Sequence, residues 1–220
     1  MTYHSTVDYY KDINDAIATA LGGYSSAPLL LSSLDFQMVR ELQIAEDWDA
    51  AGALLLRHAQ ALRTAGAEAL VICTNLMHKV APAVEAGVDI PLLHIVDAVA
   101  AAAKDAGLAS LGIMGTGRTM TDPFYANRLT ADGIRPVRAT PEDAAIVDRV
   151  VFEELTKGVV TDDARAELLA VVDHLAQAGA DGVVLGCTEL PLSLQQQHTS
   201  VPLIDSTKAH VKVAVEFILS

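Results

Sequence analysis

The sequence predicts an α/β fold: two pseudo-symmetric α/β domains with parallel-type sheets and an active site in the cleft between them. Three observations carry this. Short apolar runs such as Val183-Val184-Leu185 alternate with long amphipathic segments and stop at glycine or small polar residues, the pattern of buried strands set between helices. The chain repeats itself at a spacing of 113 residues. Composition agrees: 51% of the 220 residues are hydrophobic and only 5% aromatic, so the core is aliphatic and alanine-rich.

The repeat is explicit. Gly66, Ala67 and Val71 fall on Gly179, Ala180 and Val184, and Leu55, Leu56, Leu62 and Ala65 fall on Leu168, Leu169, Leu175 and Ala178. A proline-led strand follows each motif, Ile90-Pro91-Leu92-Leu93-His94 and Val201-Pro202-Leu203-Ile204-Asp205. A period this long is not a solenoid repeat, so it implies two similar halves facing one another. The first domain comprises 1–97 with 207–220, and the second comprises 98–206. In the same register Thr74, and not Cys73, falls on Cys187. Strand side chains alternate between faces, so Thr74 is expected to face Cys187.

Taken in order, a helix is expected from Ser5 or Thr6 to Leu21, capped by one of those hydroxyls and ended by Gly22-Gly23. Leu29–Leu31 is expected as a buried strand and Gln37–Gln43 as a short helix carrying Arg40. A long helix covers Trp48–Ala65. Val71–Cys73 is the strand of the first motif, Met77–Ala86 a helix despite Pro82, Leu92–Ile95 a strand, and Val96–Ala106 a helix. The second half opens with a strand over Ser110–Gly115 and a threonine loop. Thr121 or Asp122 caps the next helix, with Pro123 in its first turn. A short strand lies near Pro136-Val137, and Pro141 opens a helix to about Thr156. Thr161 caps the helix before Gly179. Val183–Leu185, the polar loop Gln195–His198, the strand Leu203-Ile204 and a last helix from Ser206 complete the chain. That last helix is expected to return to the first half. The repeat also sets Tyr9-Tyr10 on Phe124-Tyr125, so the counterpart of the strand Leu111–Gly115 is expected to precede Met1.

Net charge and cysteine usage narrow the partners. A formal charge of −13 argues against nucleic acid and anionic membranes. No apolar run approaches a membrane span and no signal-peptide pattern opens the chain. Two distant cysteines form no disulfide framework, which points to the cytoplasm.

The chemistry gathers at the ends of the two motif strands. In an α/β sheet the carboxyl end of a strand is where ligands bind. Gly186-Cys187-Thr188-Glu189 presents a thiol, a hydroxyl and a carboxylate there. A cysteine at the start of a helix at Thr188 or Glu189 is expected to have a lowered pKa and to act as a thiolate base. Thr74 stays protonated at physiological pH, so it donates a hydrogen bond or holds a water. Cys73 is expected to pack. The spacing Gly115-Thr116-Gly117 resembles the start of a dinucleotide fingerprint, but the third glycine is missing.

Gly186-Cys187-Thr188-Glu189, Thr74-Asn75-Leu76-Met77-His78 and Ser5-Thr6-Val7-Asp8-Tyr9-Tyr10 together resemble the cofactor-independent aspartate/glutamate racemase family. The resemblance implies two pseudo-symmetric α/β domains, a homodimer, an amino-acid substrate, and neither pyridoxal phosphate nor metal. The family's first motif is Cys-Asn-Thr-x-His, so here threonine stands at the first cysteine position. The resemblance implies that Cys187 faces the L-enantiomer. It also implies that Thr116 and Thr119 hold the α-carboxylate, while Asn75 and Thr188, at the corresponding strand ends, bind the same carboxylate or the ammonium. Arg40 then takes a side-chain carboxylate, and Lys157 lies one residue from the position of a family lysine. His78 is expected to be structural. Two other readings fit the same residues: a single-thiol decarboxylase of the same fold, and a catalytically inactive amino-acid-binding protein.

Overall fold

The computed structural model describes residues 2–220. It divides into two compact units, 2–94 with 210–220, and 95–209.

The second unit is a parallel sheet wrapped by helices. Its strands are β1 (Ser110–Met114), β2 (Arg135–Arg138), β3 (Gly182–Leu185) and β4 (Leu203–Asp205), in the order β2-β1-β3-β4. All neighbours are parallel, with Ile113 opposite Val184 and Val184 opposite Ile204. β1 and β3 are buried at every position, as central strands with both faces covered must be. The cover comes from α5 (Ile95–Asp105), α6 (Gly117–Thr121), α7 (Pro123–Ala131), α8 (Pro141–Glu153) and α9 (Asp162–Gln177). On α9, Leu168, Val171, Val172 and Leu175 form one stripe at helical spacing and all are buried. Each such side chain contributes roughly 1.5–3 kcal/mol relative to exposure. Asp122 Oδ1 accepts the Phe124 N–H and Thr161 Oγ1 the Ala164 N–H, so both expected caps form. The threonine loop is partly helical, since α6 occupies it, and α8 stops at Glu153 before a 3₁₀ turn, Leu155–Lys157.

The first unit uses α1 (Tyr3–Leu21), α2 (Phe36–Ala45), α3 (Trp48–Thr64), α4 (Ala81–Glu85) and the end of α10 (Ser206–Leu219). α1 begins earlier than its hydroxyl pattern suggests. The cap is Thr2, whose Oγ1 accepts the Ser5 N–H, while Ser5 Oγ lies within hydrogen-bond distance of Thr2 O and Cys73 O and donates to one of them. The region 77–86 is not one helix. A 3₁₀ turn, Leu76–Val80, gives way to α4 at Ala81, where Pro82 sits in the first turn and needs no N–H partner.

Three expected strands of this unit are not strands. Residues 29–31 form no strand, and Leu30 and Leu31 are exposed. Over 71–73 and 92–95 the pairing reduces to one parallel bridge, Leu70 with Leu92. It ends because Thr74 N–H donates to Ile72 O at 2.7 Å, a three-residue turn that curls the chain away, and because Ile95 already starts α5.

The 113-residue repeat is nevertheless visible in the backbone. Ala67 N–H donates to Leu62 O and Ala180 N–H to Leu175 O, at 3.0 and 3.1 Å, each bond closing a long helix. The glycines between, Gly66 and Gly179, have φ of 101° and 97°. Leu70 N–H then donates to Pro91 O at 2.9 Å, as Val183 N–H does to Pro202 O at 2.8 Å. No helix among the described residues is long and apolar enough to cross a membrane.

Candidate functional site

In the second unit the site forms where β1 and β3 end side by side. Gly186 N–H donates to Met114 O at 2.6 Å, which fixes Cys187 one residue beyond the ladder. Cys187 is 8% exposed, and its Sγ–H donates to Glu189 Oε2 at 2.9 Å. Thr188 Oγ1 donates to the same oxygen at 2.8 Å. Across the strand ends, Thr116 caps α6 and Thr119 is buried within it. Their hydroxyls are 3.3 Å apart, so one donates to the other. Gly117 N–H donates to Asp148 Oδ1 at 2.6 Å. Only glycine permits this approach: a Cβ there would lie 2.5 Å from Asp148 Oδ2.

The electrostatics of the thiol correct the sequence expectation. Burial pushes the Cys187 pKa well up, and the charge and hydrogen bond of Glu189 raise it further, with Asp148 adding to the effect. No helix starts at Thr188 to lower it. The segment continues as a three-residue 3₁₀ turn, Leu190–Leu192, too short to carry a useful dipole. The resting group is therefore a thiol hydrogen-bonded to a carboxylate.

In the first unit Thr74 and Asn75 follow the Leu70 bridge, and Asn75 is buried. Thr74 O accepts the Nδ1–H of His78 at 2.8 Å, which settles that ring's tautomer and holds the 74–78 turn closed. His78 is buried against His94 and His210, with ring centroids 4.5 and 5.5 Å away. Burial and these two neighbours press its pKa well below the usual histidine range, so it is neutral. His210 Nε2–H donates to Leu93 O at 2.6 Å, leaving Nδ1 to accept from Tyr9 Oη at 2.8 Å. Cys73 packs with the cluster of Tyr9, Ile13, Ile17 and Val211, and burial pushes its pKa up to about 11. Arg40 lies on α2 one turn before Gln43, whose Nε2 donates to Met77 Sδ at 3.2 Å.

The structure thus groups Cys187 and Thr188 with Thr116 and Thr119 in one unit, and Thr74 with Asn75 in the other. Lys157 ends the 3₁₀ turn after α8. That side chain is exposed on the turn after α8, with no hydrogen bond or ion pair to these groups among the described residues. Glu189 and Asp148 are the groups that sequence reasoning did not select. Glu189 stands two residues from Cys187 inside the quoted motif. Asp148 arrives from α8 through the missing side chain of Gly117, which leaves no local signal. Among the described residues no group of three or more His, Cys, Asp and Glu is arranged to hold a metal ion.

Comparison with known proteins places this arrangement. The chain matches the family model Asp/Glu/hydantoin racemase over residues 1–214. A provisionally named Asp/Glu racemase from Yersinia pestis is 40% identical, with a TM-score of 0.95, covering 100% of this chain and 96% of that one. An aspartate racemase homologue from Pyrococcus horikoshii OT3 is 31% identical, with a TM-score of 0.86 and the same coverage of both chains. The Picrophilus torridus aspartate racemase shares the fold at 18% identity and a TM-score of 0.70, over 97% of this chain and 89% of that one. With the family model covering nearly the whole chain and the fold matched from end to end, the protein is an isomerase that belongs to the Asp/Glu/hydantoin racemase family.

Proposed function

We propose that the protein racemises an amino acid, aspartate or glutamate, without pyridoxal phosphate or metal, by carrying the α-proton between Cys187 and the Thr74 side of the substrate. The observation that supports this most is the contact between the Cys187 thiol and Glu189, a buried acid with a proton acceptor 2.9 Å away. Glu189 takes the thiol proton and leaves a thiolate. The thiolate removes the α-proton of the L-enantiomer, and the C–H electron pair stays on the α-carbon and spreads into its carboxylate. A thiol with a raised pKa gives a strong base once ionised, which suits a weakly acidic C–H bond. The cost is a small ionised fraction at neutral pH.

Thr116 and Thr119 supply hydroxyls to the α-carboxylate and stabilise the charge that builds there. Asn75 and Thr188 flank the same group, and Arg40 takes the side-chain carboxylate. Inversion needs a proton on the opposite face, delivered by the Thr74 hydroxyl or by a water it holds; the alkoxide or hydroxide left is reprotonated from solvent, to which Glu189 returns the proton it took. A threonine hydroxyl is a poor acid, so return of the proton from Cys187 outpaces inversion. The protein therefore favours the L-enantiomer.

A homodimer in the cytoplasm belongs to the same proposal. Tyr3, Val7 and Tyr10, exposed on one face of α1, support self-association, and two free thiols support a reducing compartment.

The test is proton NMR in deuterated water with each enantiomer of aspartate and glutamate. It should show α-proton exchange of the L-form running ahead of inversion. Cys187→Ala should abolish both processes, while Cys73→Ala keeps them. Equal handling of both enantiomers, or a dead Cys73→Ala variant, would overturn the one-thiol mechanism. Release of carbon dioxide from a malonate in place of exchange would favour a decarboxylase.

A further inference from the structure

Three buried imidazoles, His78, His94 and His210, meet in the first unit, and the proposed chemistry assigns them nothing. They come from three places in the chain: the turn Leu76–Val80, the residue before α5, and α10. Aliphatic side chains would fill the same volume with no polar atoms to satisfy, so three histidines in a core call for a polar task.

That task is at the backbone of Thr74. A residue has two soft dihedrals, and each is fixed when the peptide plane on its side is held. On the 73–74 peptide, Thr74 N–H donates to Ile72 O at 2.7 Å, and Ser5 Oγ lies 3.1 Å from Cys73 O. On the 74–75 peptide, Thr74 O accepts the Nδ1–H of His78 at 2.8 Å. With both planes held, the direction of the Thr74 Cα–Cβ bond is set, and its hydroxyl is left to choose among the rotamers of a single torsion.

His78 is itself braced. Its ring meets His94 edge to face, with centroids 4.5 Å apart and planes at 64°, and His210 at 5.5 Å and 66°. His210 is tied at both nitrogens: Nε2–H donates to Leu93 O at 2.6 Å, and Nδ1 accepts from Tyr9 Oη at 2.8 Å. A chain of contacts thus runs from Tyr9 on α1 through His210 to His78 and ends on the carbonyl of Thr74. A satisfied buried network selects one orientation where apolar packing tolerates several.

We propose that His78, braced by His94 and His210, is a positioning residue for Thr74, and that it governs inversion but not proton removal by Cys187. This rests on the racemase reading above, in which Thr74 serves only the second proton transfer. His78 is buried, so it acts through the 74–78 turn. Small displacements matter there, since an error of about 1 Å in a reacting group costs roughly a hundredfold in rate.

The test uses the full chain with His78→Asn, His78→Gln and Tyr9→Phe, each checked by circular dichroism and a urea midpoint. The amide of asparagine falls where imidazole Nδ1 lies and that of glutamine where Nε2 lies, so asparagine alone can donate to Thr74 O. Proton NMR in deuterated water reads exchange and inversion of L-aspartate and L-glutamate, with kcat and KM for each. His78→Gln should lower kcat for inversion by about tenfold or more, while KM and exchange of the L-form stay within about threefold. His78→Asn should recover most of the inversion. Tyr9→Phe, which loosens His210, should lower the ratio of inversion to exchange by about twofold or more. Amide hydrogen exchange at Thr74 and Asn75 should speed up in His78→Gln and not in His78→Asn. Equal losses in the asparagine and glutamine variants at matched stability, or exchange and inversion falling together, would overturn the proposal and leave His78 a packing residue. If His78→Gln does not fold, an unchanged ratio in Tyr9→Phe overturns it. A parent that exchanges no α-proton overturns the racemase reading instead, and amide exchange at Thr74 then still decides whether His78 holds the turn.

Discussion

The Cys187 thiol and the Glu189 carboxylate, two residues apart in the chain, share one hydrogen across 2.9 Å at the end of a buried strand. That carboxylate does two opposed things: it offers the thiol proton a destination, and its charge makes the thiolate costly.

The first prediction follows from that opposition. Glu189→Gln removes both the charge and the acceptor, so Cys187 ionises at lower pH. Its iodoacetamide alkylation should become faster at neutral pH, with the midpoint of the rate profile moved down. Asp148→Asn should move the midpoint the same way but less, since its influence is the weaker of the two. Activity should fall in Glu189→Gln despite the more available thiolate, because the proton acceptor is gone. Alkylation profiles and exchange rates on the same variants separate these effects.

The second concerns alkaline stability. Burial holds Cys73 at about 11 against an ordinary thiol value of 9.0. The unfolded chain releases that proton earlier than the folded one, so this contribution is whole below about pH 9 and is lost as pH rises toward 11. Cys187 adds to the loss in the same direction. Urea midpoints of Cys73→Ala should start lower, from lost packing, and decline less steeply between about pH 9 and 11 than those of the parent. A parallel decline in both proteins would contradict the burial of this thiol.

The third places a second thiol. Thr74→Cys should add α-proton exchange from the D-enantiomer and bring the rates from the two enantiomers closer together. Initial-rate measurements from each enantiomer check this, with Thr74→Ala as the control that should lose inversion and keep exchange of the L-form.

The fourth concerns the histidine cluster. Tyr9→Phe leaves Nδ1 of the fully buried His210 without its 2.8 Å donor. Losing this buried hydrogen bond should cost about 0.5–1.5 kcal/mol, read as a lower urea midpoint with an unchanged slope.

Much of the second unit was legible in the sequence. Its strands, the caps at Asp122 and Thr161 and the end of the long helix before Gly179 are encoded locally, in apolar runs and turn chemistry. The bonds that close the long helices before Gly66 and Gly179 follow the 113-residue register of the repeat. The first unit was less legible because a strand is a relation between segments. Leu29–Leu31 has the right side chains, but side chains do not say what lies alongside. The state of Cys187 was hidden for a similar reason. Whether a thiol sits at a helix start or against a carboxylate depends on how Thr188–Leu192 turns, and a single motif is compatible with both. Asp148 could not be found at all from its neighbours, since it reaches the site from another helix across Gly117.

The single Leu70–Leu92 bridge has a consequence for how the protein fails. The half that carries Cys187 is tied by a continuous ladder, whereas among the described residues the half that carries Thr74 and Asn75 joins its helices through side-chain packing and one isolated bridge. Partial opening there costs fewer backbone bonds, so it comes first on warming. Catalysis should therefore die before the molecule melts: inactivation would run ahead of the loss of circular dichroism, and a protease would nick the exposed stretch around Tyr24 while the four-stranded sheet was still intact.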